Sequence, residues 1–208
     1  MFRPFRLLLI FMALLSLSAC SPPIKILNAV TPSGSFVATE NLAYGAEARQ
    51  ALDIYAPKTK PRKLLPVVVF FYGGAWSGGN KQDYVFVAQA MASRGVVTVV
   101  PDYRLYPQVR YPDFLRDCAR AVAWTRREIE AYGGDPDRIF VMGHSAGAYN
   151  AAMLALDPRW LRAEGMEPRM LKGWIGLAGP YDFVPIEMPA VKPVFLHPEY
   201  PPGSQPIA

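Results

Sequence analysis

Short apolar segments recur along the chain at the spacing expected for the strands of one sheet. Residues 66–71 and 96–100 are almost entirely apolar and rich in valine, which is typical of strands buried on both faces of a parallel sheet. Four further segments predict shorter or opening strands, of which the first two are expected to pair antiparallel: 35–44, 50–55, 139–142 and 174–177.

Apolar residues at helical spacing lie between the predicted strands. A helix is predicted over 113–132, where two glycines end it and one face carries Phe114, Cys118, Ala121, Val122, Thr125 and Ile129. A shorter helix follows Asn80 as a candidate N-cap and stops at Gly95, and small residues predict a third helix at 146–156. The alternation predicts an α/β fold with a mostly parallel sheet, flanking helices and right-handed crossovers.

The junction between the segment 139–142 and the third helix has the sequence Gly143-His144-Ser145-Ala146-Gly147. A sharp strand-to-helix turn leaves no room for a Cβ two residues to either side of its centre, which explains the two glycines. Such a turn lifts the Ser145 hydroxyl above the sheet as a nucleophile. It also leaves the Ala146 N–H free at a helix N-terminus to bind an oxyanion. A tight packing turn is the structural alternative.

A second glycine-rich turn, Tyr72-Gly73-Gly74-Ala75-Trp76, directly follows the strand predicted at 66–71. Two glycines let the backbone turn sharply, so the amides of Gly74 and Ala75 can point at the same oxygen as that of Ala146. A glycine pair that only shapes a loop is the alternative. Trp76 and Tyr181 are candidates for the wall of an acyl or aromatic pocket, with ordinary packing as their alternative.

Five motifs in order resemble those of the α/β-hydrolase esterases, and within them the arylformamidase-like and feruloyl- or acetylxylan-esterase-like branch. They are Tyr72-Gly73-Gly74-Ala75-Trp76, Asp102-Tyr103-Arg104-Leu105, Gly134-Asp135-Pro136-Asp137-Arg138-Ile139, Gly143-His144-Ser145-Ala146-Gly147 and Ala178-Gly179-Pro180-Tyr181-Asp182. The resemblance implies a serine hydrolase that cleaves small carboxylic esters through an acyl-enzyme, without cofactor or metal. Tyr72 stands where that family usually has a histidine that braces the loop, so the tyrosine is expected to brace it differently.

The resemblance also implies a triad acid and a histidine, in that order, beyond two further strands after residue 182. Residues 184–208 are rich in proline and predict no strand, so the hydrolase domain is expected to be C-terminally truncated, without its last strands, and weakly active. Asp182 and His197 could rebuild a triad with Ser145, a minor alternative. A catalytically incomplete lipoprotein remnant is the competing function. His144 is expected to shape the turn, and Asp102 and Asp117 to bind backbone groups or arginines.

The N-terminus predicts secretion. Arg3 and Arg6 precede an apolar segment at 7–17 that is too short to span a membrane, as in a signal peptide. Leu17-Ser18-Ala19-Cys20 resembles a bacterial lipobox, which implies cleavage before Cys20 and acylation of its thiol; a signal peptide with an incidental cysteine is the alternative. The predicted organisation is a signal peptide at 1–19, a tether at 20–34 and the hydrolase domain at 35–208. Because Ser21 is not aspartate, the resemblance implies the cell envelope, at the outer membrane facing the periplasm.

Composition narrows these expectations further. The roughly 190 residues after the predicted cleavage site suit one domain with a sizeable core. With Cys20 acylated, Cys118 is the remaining cysteine and is predicted to be a buried thiol. The basic segment 58–63 contains two prolines and predicts a solvated loop, with an anion or membrane contact as alternative. No nucleic-acid or metal-binding motif is present in the sequence.

Overall fold

The sheet is the centre of the computed structural model, which describes residues 27–28, 30–32, 34, 36–59 and 62–206. Six strands form it: β1 (Phe36–Ala43), β2 (Ala51–Pro57), β3 (Leu65–Phe71), β4 (Val97–Pro101), β5 (Gly134–His144) and β6 (Leu171–Leu177), in the order β1-β2-β4-β3-β5-β6. The first two strands pair antiparallel, β2 pairs antiparallel with β4, and the other neighbours are parallel. The predicted α/β fold with a mostly parallel sheet is confirmed.

Within residues 62–206, four α-helices flank the sheet: α1 (Val85–Ala92), α2 (Asp113–Glu128), α3 (Ala146–Leu156) and α4 (Pro158–Arg162). All six residues predicted on the inner face of α2 and its continuation are buried. A 3₁₀ turn, Ile129–Tyr132, continues α2 to Gly133, whose left-handed backbone (φ 83°) ends the helix as predicted. Asn80 caps a 3₁₀ turn, Lys81–Tyr84, that leads directly into α1.

Strand register places two loops side by side at one edge of the sheet. Phe71, the last residue of β3, pairs with Gly143 in β5, and Gly143 pairs with Gly176 in β6. The carboxyl ends of parallel strands meet at this edge, where ligands bind in open α/β sheets. The two glycine-rich turns that follow β3 and β5 are therefore neighbours.

Strand β6 lies at the edge of the sheet and is only partly covered. Helix α3 packs on β6, yet Trp174, Ile175 and Leu177 are 36%, 43% and 43% exposed. Residues 178–206 form no strand, as the sequence predicts, and contain one 3₁₀ turn, Lys192–Phe195. No helix in the described part of the chain has the length and apolarity needed to cross a membrane. The predicted signal peptide and Cys20 lie outside the described residues.

The proline-rich segment 183–206 packs on the body of the domain. Val194 and Phe195 are fully buried, and the Val194 carbonyl accepts the Tyr111 N–H at 2.9 Å. The Tyr149 hydroxyl donates to the Ser204 carbonyl at 2.7 Å, which fixes the end of the segment on α3. This segment, called the C-terminal strap below, contributes to the core although it has almost no regular secondary structure.

Candidate active site

Ser145 occupies a strained turn between β5 and α3. Its backbone has φ 52° and ψ −119°, a conformation that side-chain-bearing residues rarely adopt and that is typical of functional turns. A Cβ on Gly143 would collide with the Gly147 carbonyl, and one on Gly147 would collide with the carbonyl of Phe71. The Ser145 N–H donates to the Leu177 carbonyl at 2.8 Å. The two glycines are thus required for the sterically crowded turn that the sequence predicts.

The loop after β3 packs directly against this turn. A Cβ on Gly73 would lie 3.1 Å from the Cβ of Ser145 and 3.0 Å from the His144 carbonyl oxygen, tighter than most Cβ contacts in proteins, so glycine suits this close approach. Positive φ angles follow at Gly74 (135°), Ala75 (51°) and Trp76 (56°). The backbone therefore reverses beside Ser145, as an oxyanion loop requires.

Two of the three residues whose amides are predicted to bind an oxyanion line one cleft with Ser145. Ala75 and Ala146 are both in its wall, whereas Gly74 is exposed and does not line the cleft. Ala146 is the first residue of α3, where an N–H has no partner within the helix. Among the described residues, no acceptor takes the N–H of Ala75 or Ala146. These two donors are available to a bound oxygen.

The cleft has a volume of about 180 Å³ and an apolar lining. Its lining also includes one residue before the C-terminal strap and five of the strap: Pro180, Phe183, Ile186, Glu187, Met188 and Val191. Trp76 lines the cleft from the loop side, as the sequence suggests. Tyr181 instead packs edge-on against Trp174, with ring centroids 5.6 Å apart, which is its packing alternative.

The C-terminal strap is the part of the site that sequence reasoning missed. The Gln205 side chain accepts the Phe183 N–H at 3.0 Å, and the Tyr200 hydroxyl accepts the Ile186 N–H at 3.3 Å. The ring centroids of Phe195 and Trp76 lie 4.9 Å apart, so the strap and the loop after β3 share one aromatic cluster. The signal in the sequence was the set of large apolar side chains among the prolines.

The candidate acid and base residues are not assembled around Ser145. His197 is exposed and its Nδ1 contacts the Tyr200 hydroxyl at 2.9 Å, while Asp182 is also exposed, and neither lines the cleft. His144 contacts the Tyr84 hydroxyl through Nδ1 at 3.1 Å. Within the described part of the chain, the Ser145 hydroxyl has no hydrogen bond to an imidazole or a carboxylate. The rebuilt triad with Asp182 and His197 does not form.

The two aspartates that the sequence assigns to structural roles have them. Asp117 is buried and accepts Arg104 Nε and Nη2 at 2.8 Å each, together with Gln50 Nε2 at 2.7 Å. This ion pair raises the pKa of Arg104. Asp102 binds Tyr72 and a backbone amide, and burial raises the pKa of its carboxyl even though the Tyr72 hydroxyl and Arg49 act to lower it.

Cys118 lies away from the candidate site, in the core of the domain. Cys118 is fully buried, and burial raises the pKa of its thiol well above the ordinary value, so the reactive thiolate is scarce. No group of three or more His, Cys, Asp or Glu side chains that could hold a metal ion occurs in the ranges described.

A second, larger cavity lies at the other end of the parallel strands. It has a volume of about 500 Å³ and is lined by the first residues of β3 and β4. Lys58, Arg62 and Lys63 border it and are exposed, which fits the predicted solvated loop. Ser145, at the carboxyl end of β5, does not border this cavity.

Comparison of the chain with known proteins identifies its family. The BD-FAE family model matches residues 52–191. A probable isoprenylcysteine alpha-carbonyl methylesterase (ICME) of Oryza sativa subsp. japonica is 35% identical over 146 residues, covering 68% of this chain and 35% of the relative. Esterase LipC of Mycobacterium tuberculosis is 34% identical over 155 residues, covering 71% and 38%. The chain thus spans about a third of the length of these curated relatives.

Solved structures show the same fold. The crystal structure of esterase B from Lactobacillus rhamnosis superimposes with a TM-score of 0.66 at 19% sequence identity, covering 84% of this chain and 57% of that one. At that identity the likeness shows the fold alone, while the family model covers residues 52–191, which include both glycine-rich turns. The chain therefore belongs to the BD-FAE family of α/β-hydrolase esterases.

Proposed function

We propose that the protein is a serine esterase in which Ser145 is the nucleophile. The observation that carries the proposal is that Ser145, Ala75 and Ala146 line one apolar cleft, and that the N–H groups of the two alanines have no acceptor among the described residues. Preorganised N–H groups beside a nucleophile stabilise the oxyanion of acyl transfer. Membership in an esterase family supports carboxylic ester hydrolysis as the reaction class.

The proposed reaction proceeds through an acyl-enzyme. Ser145 Oγ attacks the carbonyl carbon of the ester, the carbonyl π electrons move to the oxygen, and the amides of Ala75 and Ala146 bind that oxyanion. Collapse of the tetrahedral intermediate expels the alcohol, which takes up the serine proton. Water then attacks the acyl-enzyme and releases the carboxylic acid. The histidine base and its aspartate are implied by resemblance alone, and the described residues supply neither.

The cleft suits a small substrate group. Its volume of about 180 Å³ is below the roughly 300 Å³ at which pockets for drug-sized ligands begin. The lining is apolar apart from Ser145 and Glu187, so we propose a short acyl or small aromatic group in this space. This choice also fits the finer motif resemblance to arylformamidase-like and feruloyl- or acetylxylan-esterase-like enzymes.

A non-catalytic lipoprotein is the second candidate function. One observation favours it: within the described residues, no acid or base side chain contacts the Ser145 hydroxyl. Labelling with a fluorophosphonate separates the two candidates, because the probe forms a covalent bond only with an activated serine.

The esterase proposal predicts labelling of the purified protein at Ser145, located by peptide mass spectrometry, and none in Ser145→Ala. Ser77→Ala is the matched control, since Ser77 is an exposed serine of the neighbouring loop. Labelling spread over several serines, or absent from a chain that unfolds cooperatively, would favour the non-catalytic candidate.

We also propose that Cys20 carries a lipid that holds the protein at the envelope membrane, with residues 20–34 as the tether. Asn28, near the end of this tether, donates to the Gln82 carbonyl at 2.6 Å and accepts the Phe86 N–H at 3.1 Å. Tyr84, between these two partners, accepts the N–H of Gly73 at 3.3 Å. Eight residue steps from Cys20 reach at most about 29 Å, so a lipid there would keep the Ser145 cleft near the membrane surface.

Metabolic labelling tests the anchor. The chain expressed in a Gram-negative host should incorporate radiolabelled palmitate and sediment with outer membranes, because the thiol of Cys20 would be acylated. Cys20→Ala should do neither, while Cys118→Ala, which removes a buried thiol, should label like the wild type. Equal labelling of the Cys20→Ala variant would refute the lipoprotein assignment.

A further inference from the structure

One carboxylate oxygen joins the two ends of the oxyanion loop, defined here as residues 72–81. Asp102 Oδ1 accepts the Tyr72 hydroxyl at 2.8 Å, at the start of the loop, and the Lys81 backbone N–H at 2.9 Å, at its end. Asp102 directly follows β4, whose position in the sheet is fixed by pairing on both sides. Both ends of the loop are therefore hydrogen-bonded to one carboxylate, whose position the sheet fixes.

Arg49 makes a second closure from the turn between β1 and β2. Its Nη2 donates to the Tyr72 hydroxyl at 2.6 Å and to the Gly79 carbonyl at 3.0 Å, again one contact at each end of the loop. Its Nε donates to the Tyr103 carbonyl at 2.9 Å, and the Tyr103 hydroxyl donates to the Tyr72 carbonyl at 2.9 Å. Charged groups make these hydrogen bonds stronger than neutral ones.

The tip of the loop has an anchor of its own. The Trp76 indole N–H donates to Asn150 Oδ1 at 3.0 Å, and both side chains are buried. Asn150 lies on α3, the helix that begins next to Ser145. The loop is thus held to the nucleophile helix at its tip and to Asp102 and Arg49 at its base.

The backbone of the loop needs such support. Ala75 and Trp76 both have positive φ angles, which cost free energy in residues with a side chain and persist only where the surroundings enforce them. The amide of Ala75, between these contacts, lines the cleft beside Ser145. If the contacts of Asp102 or those of Arg49 were lost, the strained backbone of Ala75 and Trp76 could relax. The Ala75 amide would then turn away from the cleft.

We propose that Tyr72, Asp102 and Arg49 are positioning residues that hold the oxyanion loop in the conformation that aims the Ala75 amide at the substrate oxygen. The expected effect on catalysis rests on the proposed esterase function. The expected effect on the loop conformation rests on geometry alone. Tyr72 stands where the motif resemblance implies a histidine. Its buried hydroxyl supports the loop by binding the Asp102 carboxylate and the Arg49 guanidinium.

Hydrogen exchange measures the structural consequence without any activity. The amides of Ser77 and Gly78 donate to the Gly74 carbonyl at 3.0 and 2.9 Å, so their exchange rates report whether the loop is closed. In Tyr72→Phe we expect both amides to exchange about tenfold faster, because hydrogen bonds to charged groups are lost. Tyr111→Phe, which removes a hydroxyl bound to the Gly203 carbonyl, should leave them unchanged. Wild-type exchange in Tyr72→Phe would overturn the proposal.

Kinetics on p-nitrophenyl butyrate measures the catalytic consequence. Tyr72→Phe should lower kcat about tenfold with little change in KM, because the oxyanion forms on the way to the tetrahedral intermediate and is absent from the bound ester. Asp102→Asn keeps an oxygen that can accept from Tyr72 and Lys81, so it should retain more of kcat than Asp102→Ala. Equal kcat in these two Asp102 variants, or a change confined to KM in Tyr72→Phe, would contradict a positioning role.

The two proposals can fail separately. If Ser145→Ala hydrolyses the ester as fast as the wild type, the esterase proposal fails, while the exchange rates of Ser77 and Gly78 still decide the loop. If Ser145→Ala is inactive and Tyr72→Phe matches the wild type in both exchange and kcat, the positioning role alone is wrong.

Discussion

At the scale of single residues, the site depends on positions where a Cβ does not fit. Gly143 and Gly147 leave room for the turn that carries Ser145, and Gly73 lets the oxyanion loop touch it. These contacts involve backbone carbonyls, which cannot move aside as the end of a flexible side chain can. The placement of Ser145 therefore depends on residues that take no part in the chemistry.

Gly147→Ala tests this dependence. The new Cβ would collide with the Phe71 carbonyl at the end of β3, so we expect a loss of about 1–3 kcal/mol in the free energy of unfolding, as for overpacked cores. Fluorophosphonate labelling of Ser145 should slow as well. Gly173→Ala is the control, because its Cβ would meet only the Phe140 ring at 3.4 Å. Urea denaturation measures the free energy of unfolding of both variants, and equal values would contradict the account.

A buried ion pair is the second feature at the scale of single residues. Lys81 Nζ lies 2.6 Å from Asp53 Oδ1 and 2.7 Å from Asn41 Oδ1, with both charged side chains almost fully buried. The pair joins the end of the oxyanion loop to β2. Removing one partner would leave the other charge buried and uncompensated.

Lys81→Met keeps the length of the side chain and removes its charge. We expect it to lower the free energy of unfolding by about 3–5 kcal/mol. Arg116→Met, which breaks the exposed pair with Asp113, should cost less than about 1 kcal/mol. Chemical denaturation of both variants checks this. A cost for Lys81→Met no greater than for Arg116→Met would show that the buried pair is dispensable.

At the scale of elements, the C-terminal strap joins the core to the candidate site. Phe195 is fully buried in a cluster with Trp76, Phe183, Tyr111, Phe114 and Tyr149. Strap residues that precede it in the chain, from Phe183 to Val191, line the cleft that contains Ser145. A segment with little regular structure thus supports both stability and the shape of the cleft.

Phe195→Ala tests the strap. Deleting a fully buried phenylalanine side chain typically costs about 3–5 kcal/mol, and we expect that loss in the free energy of unfolding. The adjacent Leu196 is exposed, so Leu196→Ala should cost less than about 1 kcal/mol. Thermal and urea unfolding measure the difference. A small effect of Phe195→Ala would mean that the strap does not pack on the core in solution.

The elements differ in how far the sequence could predict them. The continuous valine-rich segments and the single apolar face of α2 predict buried elements because their periodicity is strong. The strap escaped prediction because its apolar residues lack a period of 2 or 3.6, and prolines suggested an open loop. Its contacts with Tyr111 and Tyr149 join residues far apart in sequence, which local patterns do not reveal.

The residues of the candidate site also differ in how far the sequence could predict them. Ser145, Ala75 and Ala146 are recognisable because G-x-S-x-G and the glycine pair have steric reasons that operate within a few residues. The partners of Tyr72 could not be foreseen, because Arg49 and Asp102 come from two other turns. The roles of Ser145, Gly74, Ala75 and Ala146 in catalysis stay predictions, and Gly74 is exposed and does not line the cleft.

At the scale of the whole molecule, the sheet brings Ser145, the proposed nucleophile, to one edge together with Ala75, Ala146 and an apolar cleft. The described residues supply no base, and a serine hydroxyl without one is a poor nucleophile at neutral pH. We therefore expect slow turnover, with the oxyanion amides accounting for part of the acceleration. Dependence of that turnover on Ser145 is the central claim.

The most direct test is hydrolysis of p-nitrophenyl butyrate by the purified protein beside Ser145→Ala, with both shown to be folded by cooperative thermal unfolding. The account predicts slow release of p-nitrophenol by the wild type that falls to the background rate in Ser145→Ala. It also predicts a butyrylated Ser145 peptide in the wild type after acid quenching. Equal rates in the two folded proteins, with no acylated peptide, would contradict the account.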